Sequence, residues 1–248
     1  MSILVFEHSD LAGIERFGRT LNDYGHKLRI IRPHDGDPMP GDLDDCDGII
    51  SMGGPQSATD DSFPFIAAEM ALMKEANTRA LPIVGICLGS QMLARALGGK
   101  VEKNPAGIEL GFTEVKLNPV GREDIIHAGI AWNAMMMQHH RDHVSQLPPG
   151  ARLLASSATC KVQTWALGLR TYGFQYHPEV TTDVIDAWIR DEPEALQEAG
   201  LTAEQVREQA AEHFAAFERL TDRLFESIAL FLMPVDRRYQ GLVKDLHH

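Results

Sequence analysis

The 248 residues are 44% hydrophobic and 23% charged, with a formal net charge of -12 at pH 7. This composition excludes a disordered or fibrous chain, and the negative charge disfavours nonspecific binding to nucleic acid or to an anionic membrane. No segment approaches the ~20 apolar residues that span a bilayer, and the N-terminus lacks the features of a secretory signal. Three cysteines (Cys46, Cys87 and Cys160) form neither a disulfide framework nor a metal clip, so we expect a reducing, cytoplasmic location.

The first hundred residues alternate between strands and helices. Strands are predicted at residues 2–7, 26–31, 48–52 and 82–86, and amphipathic helices at residues 11–24, 63–77 and 88–97. This order predicts the start of an open parallel sheet, in which ligands gather at the carboxyl ends of the strands.

The pattern changes after the third helix. Short alternating segments between residues 100 and 120 predict antiparallel strands added as a meander to the parallel core, and three more short strands are predicted between residues 151 and 176. Residues 131–138 contain three consecutive methionines and fit a core strand better than a cofactor site, so no cofactor is expected. From Asp183 the pattern is helical, with a break at Pro193 and a long helix over about 202–232 whose apolar stripe would pack on the sheet.

Cys87 lies in a G-x-C-x-G turn, between the strand at 82–86 and the helix at 88–97. A sharp turn of this kind presents a nucleophile at the edge of the sheet, and side chains at Gly85 or Gly89 would collide with the backbone. The free N–H groups and positive dipole at the start of the helix favour thiolate over thiol. Taken alone, this stretch is also compatible with an inert buried cysteine in an ordinary turn.

The glycine pair Gly53 and Gly54 follows the strand at 48–52. A backbone without side chains can turn its N–H groups toward an anion, so we assign Gly54 a backbone donor role in an oxyanion hole. Considered by itself, this pair followed by Pro55 fits a plain tight turn better.

His177 and Glu179 follow the last predicted strand. A thiolate nucleophile needs a base to take and return its proton, and that base needs a third group to orient it. Residues at i and i+2 of a strand end face the same way, so the Glu179 carboxylate could reach the His177 ring. His177 alone would be an ordinary histidine, but combined with Cys87 it is the expected base.

The two motifs together resemble the class I, triad-type, glutamine amidotransferase family. They are Gly85-x-Cys87-x-Gly89-x-Gln91 and Gly173-Phe174-Gln175-Tyr176-His177-Pro178-Glu179, and Gly53-Gly54-Pro55 stands where that family carries its oxyanion loop. The resemblance covers roughly residues 1–190 and is strongest to stand-alone proteins related to the glutaminase half of GMP synthase. It implies a three-layer α/β/α, flavodoxin-like fold with a mostly parallel central sheet and a small antiparallel meander. Residues 191–248 would form a C-terminal helical extension packed on the same domain.

The resemblance also implies a role for each motif residue. Cys87 would attack the side-chain amide of glutamine and release ammonia, leaving a γ-glutamyl thioester. His177 would act as base and then as acid, and Glu179 would orient it. The backbone N–H groups of Gly54 and Leu88 would stabilise the tetrahedral oxyanion.

Gln91 and His140 are the substrate-binding residues that the resemblance implies. The family often carries His-Gly-Asp where this sequence has His140-Arg141-Asp142, so Arg141 replaces glycine. A long cation at this position could favour another amide that bears a carboxylate, or close the site. The run from His139 to His143 matches no established zinc spacing, and we expect no metal.

The residues after Glu179 are too few and too helical to form a synthetase that consumes ammonia. An ammonia-accepting synthetase would therefore be a separate partner. Two alternatives remain: a partner-independent hydrolase of γ-glutamyl or other small amides, and a non-catalytic regulatory protein on the same scaffold. The intact set of Cys87, His177 and Glu179 argues against the regulatory protein.

Overall fold

The computed structural model describes residues 1–233. The first half of the fold alternates strands and helices as predicted: β1 (Ser2–Phe6), α1 (Glu15–Asp23), β2 (Leu28–Ile31), β3 (Cys46–Ser51), α2 (Pro64–Thr78), β4 (Ile83–Ile86) and α3 (Leu88–Ala96). The second half contains β5 (Lys100–Lys103), β6 (Glu109–Leu117), α4 (Pro119–Arg122), β7 (Asn133–His140), β8 (Asp142–Gln146), β9 (Arg152–Ser156), β10 (Thr164–Leu167) and β11 (Thr171–Phe174). Three helices follow: α5 (Thr182–Asp191), α6 (Pro193–Ala199) and α7 (Ala203–Ser227).

Within residues 1–233 the main sheet has nine strands in the order β2-β1-β3-β4-β11-β10-β9-β6-β7. The strands from β2 to β11 pair in parallel, and β10, β9, β6 and β7 continue the same sheet with antiparallel pairing. The expected meander is therefore an extension of the central sheet, while β5 and β8 pair separately. Because β4 and β11 are parallel neighbours, with Ile86 opposite Phe174, the segments that carry Cys87 and His177 leave the sheet side by side.

Hydrophobic clusters lie on both faces of the sheet. Ile3 and Val5 of β1 pack in the cluster that includes α1 and α7, whereas Leu4 and Phe6 pack in the cluster that includes α2 and α3. This alternation is what a strand buried on both faces requires. The predicted three-layer α/β/α architecture is confirmed.

Helix α1 begins at Glu15, four residues later than the predicted start at residue 11. The backbone N–H of Leu11 donates to Ser9 Oγ at 3.2 Å, and that of Ile14 donates to Glu7 Oε1 at 3.0 Å. These local hydrogen bonds stabilise a loop over residues 9–14 instead of a first helical turn. Leu11 consequently lines a cavity at the carboxyl ends of the parallel strands.

The sequence analysis did not predict β8, α4 or α6. It expected one long helix to about residue 232, but α7 ends at Ser227 and the chain continues as a π-helical turn, Ile228–Leu232. The predicted C-terminal extension includes residues 234–248, which lie outside the described residues. None of the helices in residues 1–233 combines the length and apolar character that crossing a membrane requires.

Candidate active site

Cys87 occupies a strained turn between β4 and α3. Its backbone has φ 51° and ψ -109°, a region that costs a residue with a side chain about 1–3 kcal/mol. The turn is fixed on both sides, because the Cys87 N–H donates to the Phe174 carbonyl at 2.8 Å and the Gly89 N–H donates to the Met52 carbonyl at 3.1 Å. A Cβ at Gly89 would overlap the Ser51 backbone carbonyl, so only glycine allows this close packing.

His177 and Glu179 lie at the carboxyl end of β11, next to this turn. The Nδ1 atom of His177 is 2.8 Å from Glu179 Oε1, and both side chains are buried. The His177 N–H donates to the Met137 carbonyl at 2.9 Å, which fixes the backbone beneath the ring. The Nδ1 atom of the imidazole is therefore hydrogen-bonded to the Glu179 carboxylate, and Nε2 is left for a second partner.

The Cys87 sulfur and His177 line the same cavity and interact electrostatically, and the sulfur also lies 3.7 Å from the His139 carbonyl oxygen. Burial by itself would lower the pKa of His177, but the Glu179 carboxylate and the Cys87 sulfur outweigh burial and raise it to about 10. His177 is therefore an imidazolium at neutral pH. A charged ring between a carboxylate and a sulfur is the arrangement that activates a thiol nucleophile.

Gly53 and Gly54 lie opposite the Cys87 turn. A Cβ at Gly53 would be 2.7 Å from His177 Cε1, so a side chain there would displace the ring. Gly54 and Leu88 both line a cavity with Cys87. In the part of the chain that the structure describes, neither the Gly54 nor the Leu88 backbone N–H donates a hydrogen bond to a protein group. Both N–H groups thus remain available to a ligand beside the sulfur.

The cavity has a volume of about 340 Å³, near the lower end of the range for small-ligand sites. Its walls come from the loop after β1, the Gly53–Gly54 loop, the start of α3, the turn between β7 and β8, and α5. Cys87 and His177 form part of its lining. A ligand of amino-acid size would therefore contact the sulfur and the imidazole together.

The two residues that were predicted to bind substrate also line this cavity. Gln91 donates its side-chain N–H to the Asp142 carbonyl at 2.9 Å and to Gln175 Oε1 at 3.3 Å. Both ring nitrogens of His140 contact protein acceptors, Glu109 Oε2 at 2.8 Å and the Asp142 carbonyl at 3.0 Å. His140 therefore shapes the cavity wall but has no ring nitrogen left for a ligand.

Folding also places Cys160 beside His140 and Glu109, with donor atoms all within 4.8 Å of one another. Glu109 accepts hydrogen bonds from His140, Gln163 and Ser157, which satisfy its carboxylate. Burial and the nearby Glu109 charge raise the pKa of Cys160 to about 12, so its sulfur is a thiol. Both carboxylate oxygens of Glu109 thus have donors within the protein, and the absence of a metal stays a prediction.

The amino-acid sequence matches a known family over most of its length. The family model described as "Glutamine amidotransferase class-I" covers residues 14–192. The chain belongs to this family. The predicted resemblance is thereby confirmed.

Two relatives and one solved structure show how broad the likeness is. A glutamine-hydrolyzing GMP synthase subunit of Thermococcus kodakarensis is 32% identical over 173 residues, which are 67% of this chain and 84% of that protein. Gamma-glutamyl peptidase 3 of Arabidopsis thaliana is 28% identical over 173 residues, 68% of this chain and 69% of that protein. A glutamine amido transferase from Methylobacillus flagellatus superposes with a TM-score of 0.84 and 28% identity, covering 94% of this chain and 95% of that one. The structural likeness therefore includes helices beyond residue 192.

In this amidotransferase fold, helix α5 supplies a cavity wall that the sequence analysis missed. Trp188 packs edge-on against His177 and His139, with ring centroids 5.0 Å and 4.7 Å apart, and its Nε1 donates to the Leu11 carbonyl at 3.0 Å. The Nε2 atom of His139 also lies 3.2 Å from Glu192 Oε2. The helical pattern predicted α5, but no local motif indicated that its aromatic residue would cover the imidazole.

Arg141, the departure from the family's glycine, lies at the cavity rim. Its Nε donates to Glu198 Oε2 of α6 at 2.7 Å, and both side chains are 47% exposed. The ion pair holds the guanidinium toward α6, and the cavity remains open. The expectation that this cation could close the site does not fit the described geometry.

Proposed function

We propose that this chain hydrolyses the side-chain amide of glutamine through a γ-glutamyl thioester on Cys87 and releases ammonia. The observation that carries this proposal is the Cys87 sulfur beside His177, whose ring is hydrogen-bonded to Glu179, at a cavity of amino-acid size. Membership in the class I glutamine amidotransferase family supports the same reaction.

In the first step, the Cys87 thiolate attacks the carbonyl carbon of the substrate amide. The carbonyl π electrons move onto oxygen, and the resulting oxyanion accepts hydrogen bonds from the backbone N–H groups of Gly54 and Leu88. Two fixed donors are worth most when charge develops beside them, and the loss of one such donor costs about 10²–10³-fold in rate. The lack of protein partners for both N–H groups, within the described residues, supports this assignment.

In the second step, the tetrahedral adduct collapses. The His177 imidazolium gives its proton to the departing nitrogen, the carbon–nitrogen bond breaks, and ammonia leaves. His177 is then neutral and takes a proton from water, whose oxygen attacks the thioester to release glutamate and return the thiolate. Glu179 holds the ring in the orientation that serves both proton transfers.

Gln91 and His140 would help to form the pocket for the rest of the substrate. Gln91 is proposed to hold glutamine by fixing the Asp142 segment, since its amide donates to the Asp142 carbonyl. His140 would act on the same segment through its own contact with that carbonyl. Neither residue is proposed to take part in proton transfer.

The ammonia acceptor would be a separate synthetase. The relative from Thermococcus kodakarensis carries the name of one subunit of a glutamine-hydrolyzing synthase, and the match covers 84% of it. We propose that this chain likewise delivers ammonia to a partner protein whose acceptor substrate the site does not identify.

The proposal is tested by ammonia release from glutamine with wild type, Cys87→Ala and Cys160→Ala. Cys160 is a matched control because it is also buried but lies outside the cavity lining. Cys87→Ala should lower the rate by about 10⁴-fold or more, while Cys160→Ala should stay within about threefold of wild type. Equal ammonia release from Cys87→Ala and wild type would refute the proposal.

A second candidate is a hydrolase of γ-glutamyl compounds that needs no partner. Arg141 at the cavity rim favours it, because a cation there can bind a carboxylate beyond the scissile amide. Gamma-glutamyl peptidase 3 of Arabidopsis thaliana is among the relatives. Faster turnover of a γ-glutamyl dipeptide than of glutamine, without stimulation by cell extract, would favour this candidate over the amidotransferase.

A further inference from the structure

A buried histidine–glutamate pair lies beneath the Gly53–Gly54 loop, outside the cavity. His8 follows β1, and its Nε2 atom is 2.8 Å from Glu69 Oε2 of α2; both side chains are fully buried. Glu69 Oε1 in turn accepts a hydrogen bond from Ser51 Oγ at 2.6 Å. Ser51 is the last residue of β3, so Glu69 contacts both the strand that leads into the glycine loop and the histidine beside it.

The other ring nitrogen of His8 faces the loop itself. Nδ1 is 3.1 Å from the Met52 carbonyl oxygen and 3.3 Å from the Gly53 carbonyl oxygen. A carbonyl oxygen only accepts, so Nδ1 must carry the proton and donate it. Burial by itself would lower the pKa of His8, but the Glu69 carboxylate and these two carbonyls outweigh burial and raise it.

This contact has a geometric consequence for Gly54. In a planar trans peptide unit the C=O and N–H bonds point in opposite directions. When the Gly53 carbonyl is held toward His8, the Gly54 N–H points away from His8. Cys87 and His177 lie next to the loop, since a Cβ at Gly53 would contact both residues, and they line the cavity together with Gly54, whereas His8 does not.

We propose that His8 and Glu69 are positioning residues that fix the Gly53–Gly54 peptide with its N–H directed at the oxyanion. This inference rests on the proposed function, in which that N–H stabilises the tetrahedral adduct. Two consecutive glycines can adopt many backbone conformations, so the peptide needs an external restraint. If the peptide turned over, it would present a carbonyl oxygen to the oxyanion and repel it.

The Met52 carbonyl connects the glycine loop to the first turn of α3. Its carbonyl accepts from His8 Nδ1 and also from the Gly89 N–H in the first turn of α3, at 3.1 Å in each case. A single backbone carbonyl therefore joins the buried pair to the helix that begins after Cys87.

Two substitutions of His8 separate this role from simple packing. In His8→Asn the amide nitrogen takes the place of Nδ1 and can still donate to the loop carbonyls, but the contact with Glu69 is lost. In His8→Gln the amide reaches the place of Nε2 and can still contact Glu69, but the donor to the loop is lost. Asn fills less of the space of the ring than Gln does, so packing alone would make His8→Asn the more defective variant.

The experiment measures kcat and KM for glutamine hydrolysis, together with the rate at which iodoacetamide alkylates Cys87. We expect His8→Gln to lose about 10²-fold in kcat with KM changed less than about threefold, and His8→Asn to keep kcat within about tenfold of wild type. Alkylation forms no oxyanion, so its rate should be the same in both variants and in wild type. Equal kcat values for the two folded variants, or a matching loss of alkylation, would overturn the positioning role.

Glu69→Gln provides a rescue test. Its amide can donate to Nε2 of a neutral His8 and accept from Ser51. The proton of His8 then stays on Nδ1, which continues to donate to the loop carbonyls. We expect kcat within about threefold of wild type for Glu69→Gln and a loss of about 10²-fold for Glu69→Ala. A folded Glu69→Gln variant as slow as Glu69→Ala would overturn the inference. An inactive wild type would count against the proposed function itself, whereas an active wild type matched by His8→Gln would overturn only the role of His8.

Discussion

The His177–Glu179 pair and the His140–Glu109 pair have the same distance between imidazole and carboxylate, through Nδ1 in the first and Nε2 in the second. In each, a ring nitrogen lies 2.8 Å from a carboxylate oxygen, and all four side chains are buried. They differ in the other ring nitrogen. In His177 it faces the Cys87 sulfur, whereas in His140 it is bound to a backbone carbonyl.

The comparison teaches that a buried histidine–carboxylate contact is not by itself a catalytic signature. What makes one pair a candidate for proton transfer is an open second nitrogen beside a nucleophile in a cavity. The His140 pair instead belongs to a hydrogen-bond network around Glu109. Burial alone would raise the pKa of Glu109, but hydrogen bonds from His140, Thr159 and Ser157 outweigh it and hold the pKa below its usual range.

The largest expected effect comes from replacing the histidine of each pair. His177→Gln should lower kcat/KM for glutamine by about 10³-fold or more, because no group remains to exchange the proton with substrate. His140→Gln should keep kcat/KM within about tenfold but lower the free energy of unfolding by about 1–3 kcal/mol, since a buried network loses a partner. Steady-state kinetics and denaturant titration of both variants check this; equal losses of activity would contradict the distinction.

Replacing the carboxylates gives the next largest effect. Glu179→Gln should lower kcat/KM by about 10²-fold, because the imidazole loses the charge that orients it and stabilises its protonated form. Glu109→Gln should chiefly lower the free energy of unfolding and have a smaller effect on kcat/KM. The same kinetic and unfolding measurements apply, and a Glu109→Gln variant that loses as much kcat/KM as Glu179→Gln would show that the second pair also serves the reaction.

The same two pairs show how far the sequence could predict the site. Cys87, with its flanking glycines, and the i, i+2 pair of His177 and Glu179 are local patterns, so the turn at Cys87 and the contact between Glu179 and His177 could be predicted from spacing. His140 and Glu109 meet because β6 and β7 pair in antiparallel register, with these two residues opposite each other. Such a register depends on packing across the whole sheet, and no local pattern specifies it.

Residues that support the site from a distance were missed for a related reason. His8 and Glu69 lie 61 positions apart in sequence, and Trp188 meets His177 only after α5 packs on the sheet. The parallel core was predictable because hydrophobic runs and helices alternate there. The antiparallel half was predicted as a small meander, whereas its strands extend the central sheet, because strand order is set by tertiary contacts.

The pH dependence of kcat/KM tests the role of His177 separately from that of His140. With its pKa raised to about 10, His177 should keep the proton that the departing ammonia needs until the pH approaches that value. We therefore expect kcat/KM to fall above about pH 10 in wild type, and the fall to move to lower pH in Glu179→Gln. Rate profiles of the two proteins across the alkaline range check this; an unmoved alkaline limb would contradict it.

The stability consequence has a defined sign. The folded pKa of His177 is above its usual value of 6.5, so the contribution of its charged pair to the free energy of unfolding is fully present below pH 6.5. That contribution is lost as the pH rises through about 10. The difference in unfolding free energy between wild type and His177→Gln should shrink over this window. A constant difference would contradict the raised pKa.

Arg16 holds the backbone on both sides of Glu179. Its guanidinium donates to the carbonyls of Pro178 and Val180, which flank Glu179, and to Asp222 of α7. Arg16→Met should lower the free energy of unfolding by about 2–4 kcal/mol, because a buried cation and its hydrogen bonds are lost. The exposed Arg19 on the same helix is a matched control, and Arg19→Met should change stability by less than about 0.5 kcal/mol.

The smallest effect concerns Arg141, next to His140. Its ion pair with Glu198 is half exposed, so Arg141→Gly and Glu198→Gln should each change the free energy of unfolding by less than about 1 kcal/mol. Their kinetics should differ, because Glu198→Gln leaves the cation at the cavity rim and Arg141→Gly removes it. If that cation binds a second carboxylate, Arg141→Gly should raise KM for a γ-glutamyl dipeptide by about three- to tenfold relative to glutamine, and Glu198→Gln should not. Equal changes in KM for both substrates would mean that Arg141 does not bind a second carboxylate. The two candidate functions would then be distinguished by the turnover rates of glutamine and the γ-glutamyl dipeptide.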